Sequence, residues 1–587
     1  MNNKTRSKDT AVISWLREVS RKEKSYLFCL VFLNAIIAVC SVGAALLLRG
    51  LINDAVGGRQ NGFIQNAAIL LAIVTGQLVL RASFRYWEEY AKAELEKVLR
   101  GRMLHTILKR EYACLSRYHS GDLMLRITSD ISVVCDGMIA LLPALVLMIA
   151  RLLGALVCML YIDWHLTVLF AVYGGVAAAA GYYFRDRMKN LHRAVQEKDG
   201  IVRSFLQEVM ESLLIIKCFQ AESIIDSKAA GFMEDHRKTR IKRSCMAVLS
   251  QLGGGLGINL GYFLGMIWCG WQILMGVLNL GTLVAVQQLI GQIQQPFTNM
   301  PGALSRYYGL IASAERLMEL EEIPAEGLAI EEDEINKLCR GFYRIRMDDI
   351  TFSYETEGGN ILEHTSFGIE RGDYIAIAGD SGIGKSTLLK LLLSVYENYT
   401  GEILIDSCGC LPVRMNAGYR KLFAYVPQGS RLMSGTIAEA VSFMEMKGTD
   451  TSGKWGERYE GYRMGRIKEA CKLACADTFI NELQDGYDTV LGERGIGLSE
   501  GQLQRLAIAR AIYSGAPVLL MDEATSALDE VTEERLLRNL RCLKDRTVII
   551  ITHRKSVFSI CNKIVWLENK KLRCEEIGAK RGDKRIL

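Results

Sequence analysis

The stretch DYIAIAGDSGIGKSTLLKLLL, residues 373–393, sets the fold of the second half of this chain. A short apolar run of β character leads into a glycine-rich turn, which opens directly into a leucine-rich helix. Gly379, Gly382 and Gly384 let the backbone wrap closely, so amide N–H groups and the helix N-terminus converge on one point. Such a convergence holds anions, and strand, loop and helix in this order are the context required of a loop that cradles nucleotide phosphates. Lys385 is placed to reach the β- and γ-phosphates, and the Ser386 hydroxyl to complete a magnesium shell.

Two further apolar runs extend the pattern. VLLMDEATSALD (518–529) reads as a strand ending in adjacent carboxylates. Asp522, at the strand end, is placed to hold magnesium through water, and Glu523 to polarise an attacking water for in-line displacement. RTVIIITHR (546–554) is a third strand that delivers His553, a residue type most often simply polar at such a position.

Outward from this half the composition changes. Half of the 587 residues are hydrophobic, and up to about residue 320 they gather in long runs separated by charged stretches. A membrane helix needs about 20 apolar residues. Windows of that kind lie near 26–48, 64–80, 138–161, 164–184, 245–273 and 279–300, which makes six expected spans. The hairpins YIDWH (161–165) and LMGVLNLG (274–281) carry no lysine or arginine, whereas 81–135 and 185–244 are long and heavily charged. By the positive-inside rule the charged stretches, the N-terminus and the nucleotide half are cytoplasmic, and Trp164, Trp268 and Trp271 fall near the outer interface.

Helical spacing of apolar residues persists in the charged stretches, as in LLIIKCFQ (213–220), so the span helices are expected to continue into the cytoplasm. ELEEIPAEGLAIEEDEIN (319–336) reads as a solvated acidic connection because its like charges repel. The net charge of +6 is small, and basic residues flank apolar runs, which argues against a nucleic-acid surface. The 16 cysteines are scattered without metal or redox spacing and are expected to be reduced. The first apolar run follows a basic lead and is too long for a signal h-region, so no cleavable signal is expected.

GIGLSEGQLQRLAIARAI (495–512) resembles the signature motif of ATP-binding cassette (ABC) proteins. The resemblance extends residue by residue. It implies an ATP site of Gly379, Asp380, Ser381, Gly382, Ile383, Gly384, Lys385, Ser386 and Thr387, with Tyr354 in TFSYE stacking on adenine. Gln428 in AYVPQ matches the Q-loop glutamine, which with Ser386 and Asp522 serves Mg2+, and His553 matches the switch histidine at the γ-phosphate. Catalysis is thereby implied for Glu523, His553 and Gln428. Leu498, Ser499, Glu500, Gly501 and Gln502 would act on the partner's ATP, and Ser526, Ala527, Leu528 and Asp529 match the D-loop.

Six spans before one cassette resemble the exporter-type half-transporters. The implied architecture is a multi-pass α-helical membrane domain (1–320), an acidic linker (321–341) and an α/β P-loop ABC ATPase domain (342–587). YHSGDLMLRITSD (118–130) resembles the first intracellular loop of these exporters, just after its coupling helix, and IIKCFQAE (215–222) the second. Because each signature closes over the other cassette's nucleotide in the family, the resemblance implies a dimer with a second half-transporter. All motifs of a symmetric pair are present, which points to a homodimer, although the intact member of a heterodimer would carry the same motifs. Two features depart from the pattern: Glu500 replaces the commoner second glycine, and MEMKGTDTSGKWGERYEGYRMGR (444–466) reads as a polar surface insertion.

Polar residues in the spans bear on the substrate. Arg151, in VLMIARLLGALV (146–157), would be costly facing lipid, so it lines a pathway or pairs with a neighbouring helix. Gln288, Gln292, Gln295 and Asn299 share one helical face, suited to a wet cavity or to interhelical hydrogen bonds. Gly253, Gly257, Gly261 and Gly265 form a small-residue ladder that reads as packing or as a hinge.

Three functions follow: export of an amphipathic small molecule, peptide or lipid across the inner (cytoplasmic) membrane of a bacterial cell; import of a metal chelate on the same fold; or a soluble-type cassette ATPase acting on nucleic acid, against which the six spans argue. The expected cofactors are ATP and Mg2+, and the expected surroundings a lipid bilayer.

Overall fold

The computed structural model describes residues 2–577 except 23, 119, 328–329, 355–358, 410, 430–431, 444–456, 493–496 and 544. Within helices, the side chains of 2–9, 22, 169, 171, 173–186, 189, 192–193, 250–251, 253–258, 297, 301 and 457–462 also fall outside the description. The chain forms two compact units, Met1–Leu108 with His119–Glu322, and Lys109–Tyr118 with Ile323–Leu587.

The first unit is built on the helices Lys24–Val56, Gln60–Lys109, Ser120–Ile162, Trp164–Glu211, Glu222–Leu274 and Leu280–Glu322. At about 1.5 Å rise per residue, the 50-residue second helix reaches about 75 Å, more than twice the roughly 30 Å of a hydrocarbon core. The expected continuation of the span helix beyond the hydrocarbon core is therefore present as unbroken helix. Among the described residues, Lys24–Val56, Gln60–Lys109 and Ser120–Ile162 are long and apolar enough to cross a membrane. The other three expected spans, 164–184, 245–273 and 279–300, lie on helices of 48, 53 and 43 residues.

Buried side chains from different helices lock this unit. A short helix, Asn2–Val19, contributes Val12 and Trp15 to a cluster with Leu95, Leu99, Ile131 and Leu317. Trp15 Nε1 donates to Glu321 Oε2 at 2.8 Å, and Arg102 Nε to Glu321 Oε1 at 2.7 Å. In 118–130, buried Arg126 pairs with Glu319 at 3.0 Å and buried Asp130 with Arg316 at 2.5 Å. At the hairpin 161–165, Trp268 Nε1 donates to Asp163 Oδ2 at 2.8 Å. A Cβ on Gly265 would stand 3.2 Å from Ile290, so that rung of the ladder serves close packing; Gly253 and Gly257 lie outside the described surroundings.

The second unit contains twelve described strands: β1 (Phe342–Phe352), β2 (Leu362–Glu370), β3 (Tyr374–Ala378), β4 (Tyr399–Ser407), β5 (Val413–Arg414), β6 (Phe423–Val426), β7 (Gly435–Thr436), β8 (Val490–Leu491), β9 (Val518–Asp522), β10 (Thr547–Ile551), β11 (Lys563–Glu568) and β12 (Lys571–Glu576). The central sheet has the order β12-β11-β3-β10-β9-β6, parallel from β11 to β6, beside an antiparallel β2-β1-β4-β5 sheet. Every residue of β3, β9 and β10 is buried, as expected of strands covered on both faces. Their carboxyl ends present the phosphate loop, the two carboxylates and His553 on one edge, where parallel sheets place their ligands.

In the linker, residues 332–341 form a helix that buries Ile335 and Leu338 while Glu332, Asp333 and Glu334 stay exposed, so the connection is solvated on one face and docked on the other. One short loop meets three of the linker's carboxylates: Tyr419 OH donates to Glu334 at 3.3 Å, Arg420 pairs with Glu326 at 2.7 Å, and Lys421 with Glu332 at 2.6 Å. The like charges repel only when the segment is considered without these distant partners. In the expected surface insertion, 444–456 lie outside the described residues, and 457–466 belong to the helix Glu457–Leu473.

Candidate nucleotide and transport sites

Gly379, Gly382 and Gly384 have φ of 149°, 79° and 114°, a region that favours glycine, and Gly384 precedes the helix Lys385–Leu392. Lys385 is buried. Its Nζ donates to the carbonyls of Gly379 at 2.9 Å and Asp380 at 2.8 Å and lies 3.2 Å from His553 Nε2. Burial pulls the Lys385 pKa below its ordinary value, against the opposing pull of Glu523, Asp380 and Asp522. The ammonium is thus folded onto the loop it belongs to, within reach of any anion the loop holds.

Ser386 Oγ donates to Asp522 Oδ1 at 3.0 Å, and Tyr425 OH to Asp522 Oδ2 at 3.3 Å. Burial raises the Asp522 carboxyl pKa, and these two hydrogen bonds oppose it. A serine hydroxyl beside a buried carboxylate is a hard-oxygen pair that fits Mg2+. Glu523 sits at φ 50°, strained for a residue with a Cβ, and its N–H is tied to Ile551 O at 3.1 Å. Gln428 Nε2 donates to Glu523 Oε2 at 2.7 Å, and His553 Nε2 lies 3.5 Å from Oε1. The structure therefore gathers all three expected catalytic residues. Tyr354 shares a hydrogen bond of 2.8 Å with Thr387 and packs edge-on against Phe352 and Tyr396, leaving 42% of its surface open.

The signature and the D-loop form a second group. Ser499 caps the helix Glu500–Tyr513, and Gln502 returns the bond to its N–H, a complete capping box. Glu500 occupies the first turn as an exposed acid, complementing the positive end of the helix dipole. A Cβ on Gly501 would stand 2.8 Å from Ala527 O, so the helix lies directly against the D-loop. Leu498 is half-buried against the domain core, and Asp529 caps the next helix through Thr532 N at 3.0 Å.

Three residues of these groups were missed from sequence. Tyr425 stands beside Gln428 in AYVPQ, but its reach to Asp522 depends on β6 pairing with β9. Buried Gln504 bonds Ser526 Oγ at 3.3 Å and Ala527 N at 3.1 Å, and Arg554 donates to the carbonyls of Ser526 at 2.8 Å and Leu528 at 3.0 Å. Gln504 left a signal, one of two polar residues with Arg505 between Leu503 and the apolar run LAIA, whereas Arg554 left none beyond following His553.

Tyr425 supports a pH prediction. An ionised Asp522 is needed to hold a cation, so activity is lost as pH falls through its pKa. Tyr425→Phe removes a bond that lowers that pKa, and the acid limb of ATP turnover will move to higher pH, by about 0.7 unit for a bond worth about 1 kcal/mol. A pH profile of the variant with an unmoved acid limb contradicts this role.

In the first unit Arg151 Nη1 donates to Gln295 Oε1, and Gln292 Nε2 donates to Ser41 O at 2.8 Å. Interhelical bonding is thus realised at both glutamines. Gln288, Gln295 and Asn299 remain exposed on the same face. Among the described residues, Arg151 Nε, Gln292 Oε1 and Gln77 Nε2 are buried without a hydrogen-bond partner, and Arg81 is an electrostatic neighbour of Arg151.

Comparison with known proteins agrees with both units. The family described as ABC transporter transmembrane region matches residues 27–297, and the family described as ABC transporter matches 362–526. ABC transporter B family member 29, chloroplastic, of Arabidopsis thaliana is 30% identical over 85% of this chain and 78% of its own length. The ATP-dependent lipid A-core flippase of Photobacterium profundum is 26% identical over 89% and 87%. The structure of a bacterial Atm1-family ABC exporter with ATP bound shares the fold at a TM-score of 0.74 and 22% identity, covering 94% of this chain and 95% of that one. This chain belongs to the ATP-binding cassette half-transporters of exporter type, multi-pass membrane proteins whose ATPase is coupled to transport.

Proposed function

We propose that two copies of this chain export an anionic amphiphile from the cytoplasmic leaflet of a bacterial inner membrane, using ATP and Mg2+. The observation that carries the substrate class is Arg151, bonded to Gln295 and with Arg81 as its electrostatic neighbour. The Arg151 guanidinium, with Arg81 as an electrostatic neighbour and its Nε without a hydrogen-bond partner among the described residues, is a cation that an anionic headgroup would satisfy. Several relatives are described as lipid A-core flippases, which supports a lipid-like substrate.

In the ATPase unit, Tyr354 offers its ring to adenine and the loop amides hold the phosphates. Lys385 moves from its own carbonyls to the phosphate oxygens. Ser386 and Asp522 would hold Mg2+, which when bound neutralises charge on the β- and γ-phosphate oxygens. Glu523, oriented by Gln428, accepts the proton of the attacking water, and His553 steadies the γ-phosphate. Ser499 and Gly501 would close over the partner's nucleotide. ATP then favours the closed pair by its differential affinity, and hydrolysis releases it.

The test is ATP turnover of the purified chain in nanodiscs, with added anionic amphiphile or a zwitterionic analogue of the same chain length. Anionic stimulation is expected, and Arg151→Ala should reduce stimulated turnover at least five-fold more than basal turnover. Equal losses of both would show Arg151 to be a structural pair with Gln295. A second reading, the intact half of a heterodimer, is favoured by Glu500, whose exposed charge at the signature helix would oppose the partner's γ-phosphate.

A further inference from the structure

Residues 109–112 and 324–326 are paired. Arg110 and Ala325 form an antiparallel bridge, Glu111 N donates to Pro324 O at 3.1 Å, and Glu326 N to Lys109 O at 2.8 Å. Tyr112 N lies 3.4 Å from Glu326 Oε1. One strip continues from the helix Gln60–Lys109, and the other follows the helix Leu280–Glu322. The two connectors that leave the membrane helices are therefore joined by backbone hydrogen bonds.

From this joint a line of bonds runs to the phosphate loop. The Glu326 carboxylate holds Arg420 at 2.7 Å, with the two side chains 20% and 29% exposed, so solvent screens the pair only partly. Arg420 Nε donates to Leu393 O at 2.6 Å and Nη2 to Ser394 O at 2.8 Å. These carbonyls lie just past the helix Lys385–Leu392, where a helix end leaves acceptors without intrahelical partners. The N-terminus of that eight-residue helix is the phosphate loop itself.

We propose that Glu326 and Arg420 form a strap that carries movement of the phosphate-loop helix to the paired connectors 109–112 and 324–326 of the same chain. The inference rests on the nucleotide reading above. An eight-residue helix, about 12 Å long, is rigid on this scale, so a tilt imposed on its N-terminus by a phosphate displaces the carbonyls at its other end. Arg420 grips those carbonyls through Nε and Nη2, and the same Nη2 holds Glu326, so the connector pair must follow. Tyr419 and Lys421, bound to Glu334 and Glu332, keep the loop from swinging free. Glu326 touches no nucleotide group and acts as a positioning residue.

The experiment is hydrogen exchange by mass spectrometry on the full chain in nanodiscs, in a Glu523→Gln background, with and without ATP and Mg2+. In the parent, ATP should slow exchange in 379–393 and change it in 109–112. Glu326→Ala should keep the protection of 379–393 while the response at 109–112 falls at least five-fold, and Glu326→Asp, which keeps the charge, should recover more than half of it. A full response at 109–112 in Glu326→Ala overturns the strap. Loss of protection at 379–393 in that variant alone also overturns it, because Glu326 would then support the nucleotide site's fold. Absence of protection in the parent removes the nucleotide reading instead, which separates the two failures.

Discussion

Replacing Glu523 by glutamine will reduce steady-state ATP hydrolysis by about 10²- to 10⁴-fold, the span associated with a positioned general base, while nucleotide binding persists. The substitution keeps the shape and the hydrogen bond to Gln428 but removes the oxygen that accepts a proton, so binding and turnover separate. Turnover by the wild-type chain alone, absent in the variant, would show that one kind of chain assembles competent sites. Equal inactivity of both folded proteins would favour the heterodimer and direct attention to a missing partner. Retained turnover in the variant would remove Glu523 from catalysis.

Lys385→Met carries the second largest effect, on affinity rather than on chemistry. The ammonium makes two carbonyl contacts in the loop and stands beside His553, so it is already within reach of the phosphates. A charged hydrogen bond is worth about 1.5–3 kcal/mol, and each 1.4 kcal/mol is tenfold, so ATP affinity should fall by about 10- to 100-fold. Methionine preserves most of the buried stem, and a melting temperature within a few degrees of wild type will separate lost binding from lost folding. Isothermal titration with the Glu523→Gln protein as reference measures the change, and unaltered affinity would contradict the assigned role.

The parts legible in sequence share a property: their information is local. Strand, glycine turn and helix around Lys385 are contiguous, and so are the capping pair Ser499 and Gln502 and the apolar windows of the membrane helices. The parts that stayed hidden depend on partners far along the chain. Tyr425 reaches Asp522 only because β6 lies beside β9, and Gln504 reaches Ser526 only because Gly501 brings its helix against the D-loop. The docking of the linker stays hidden for the same reason: Glu326, Glu332 and Glu334 are exposed or half-buried acids as their run suggests, but their partners lie 85 to 94 positions away. Arg151 was legible as an anomaly in an apolar span, but its bond to Gln295 was not.

The docked linker also affects how the protein can be cut. A fragment starting at 342 would lose Glu326, Glu332 and Glu334 and leave Tyr419, Arg420 and Lys421 without these carboxylate partners. A fragment starting at 323 would keep them yet still lack 109–118, which belongs to the same compact unit. No single contiguous piece of this gene product reproduces its ATPase half. Activity measured on an excised cassette would therefore describe a body with one of its own segments missing, and supplying a peptide of residues 109–118 in trans is the natural way to make that body whole.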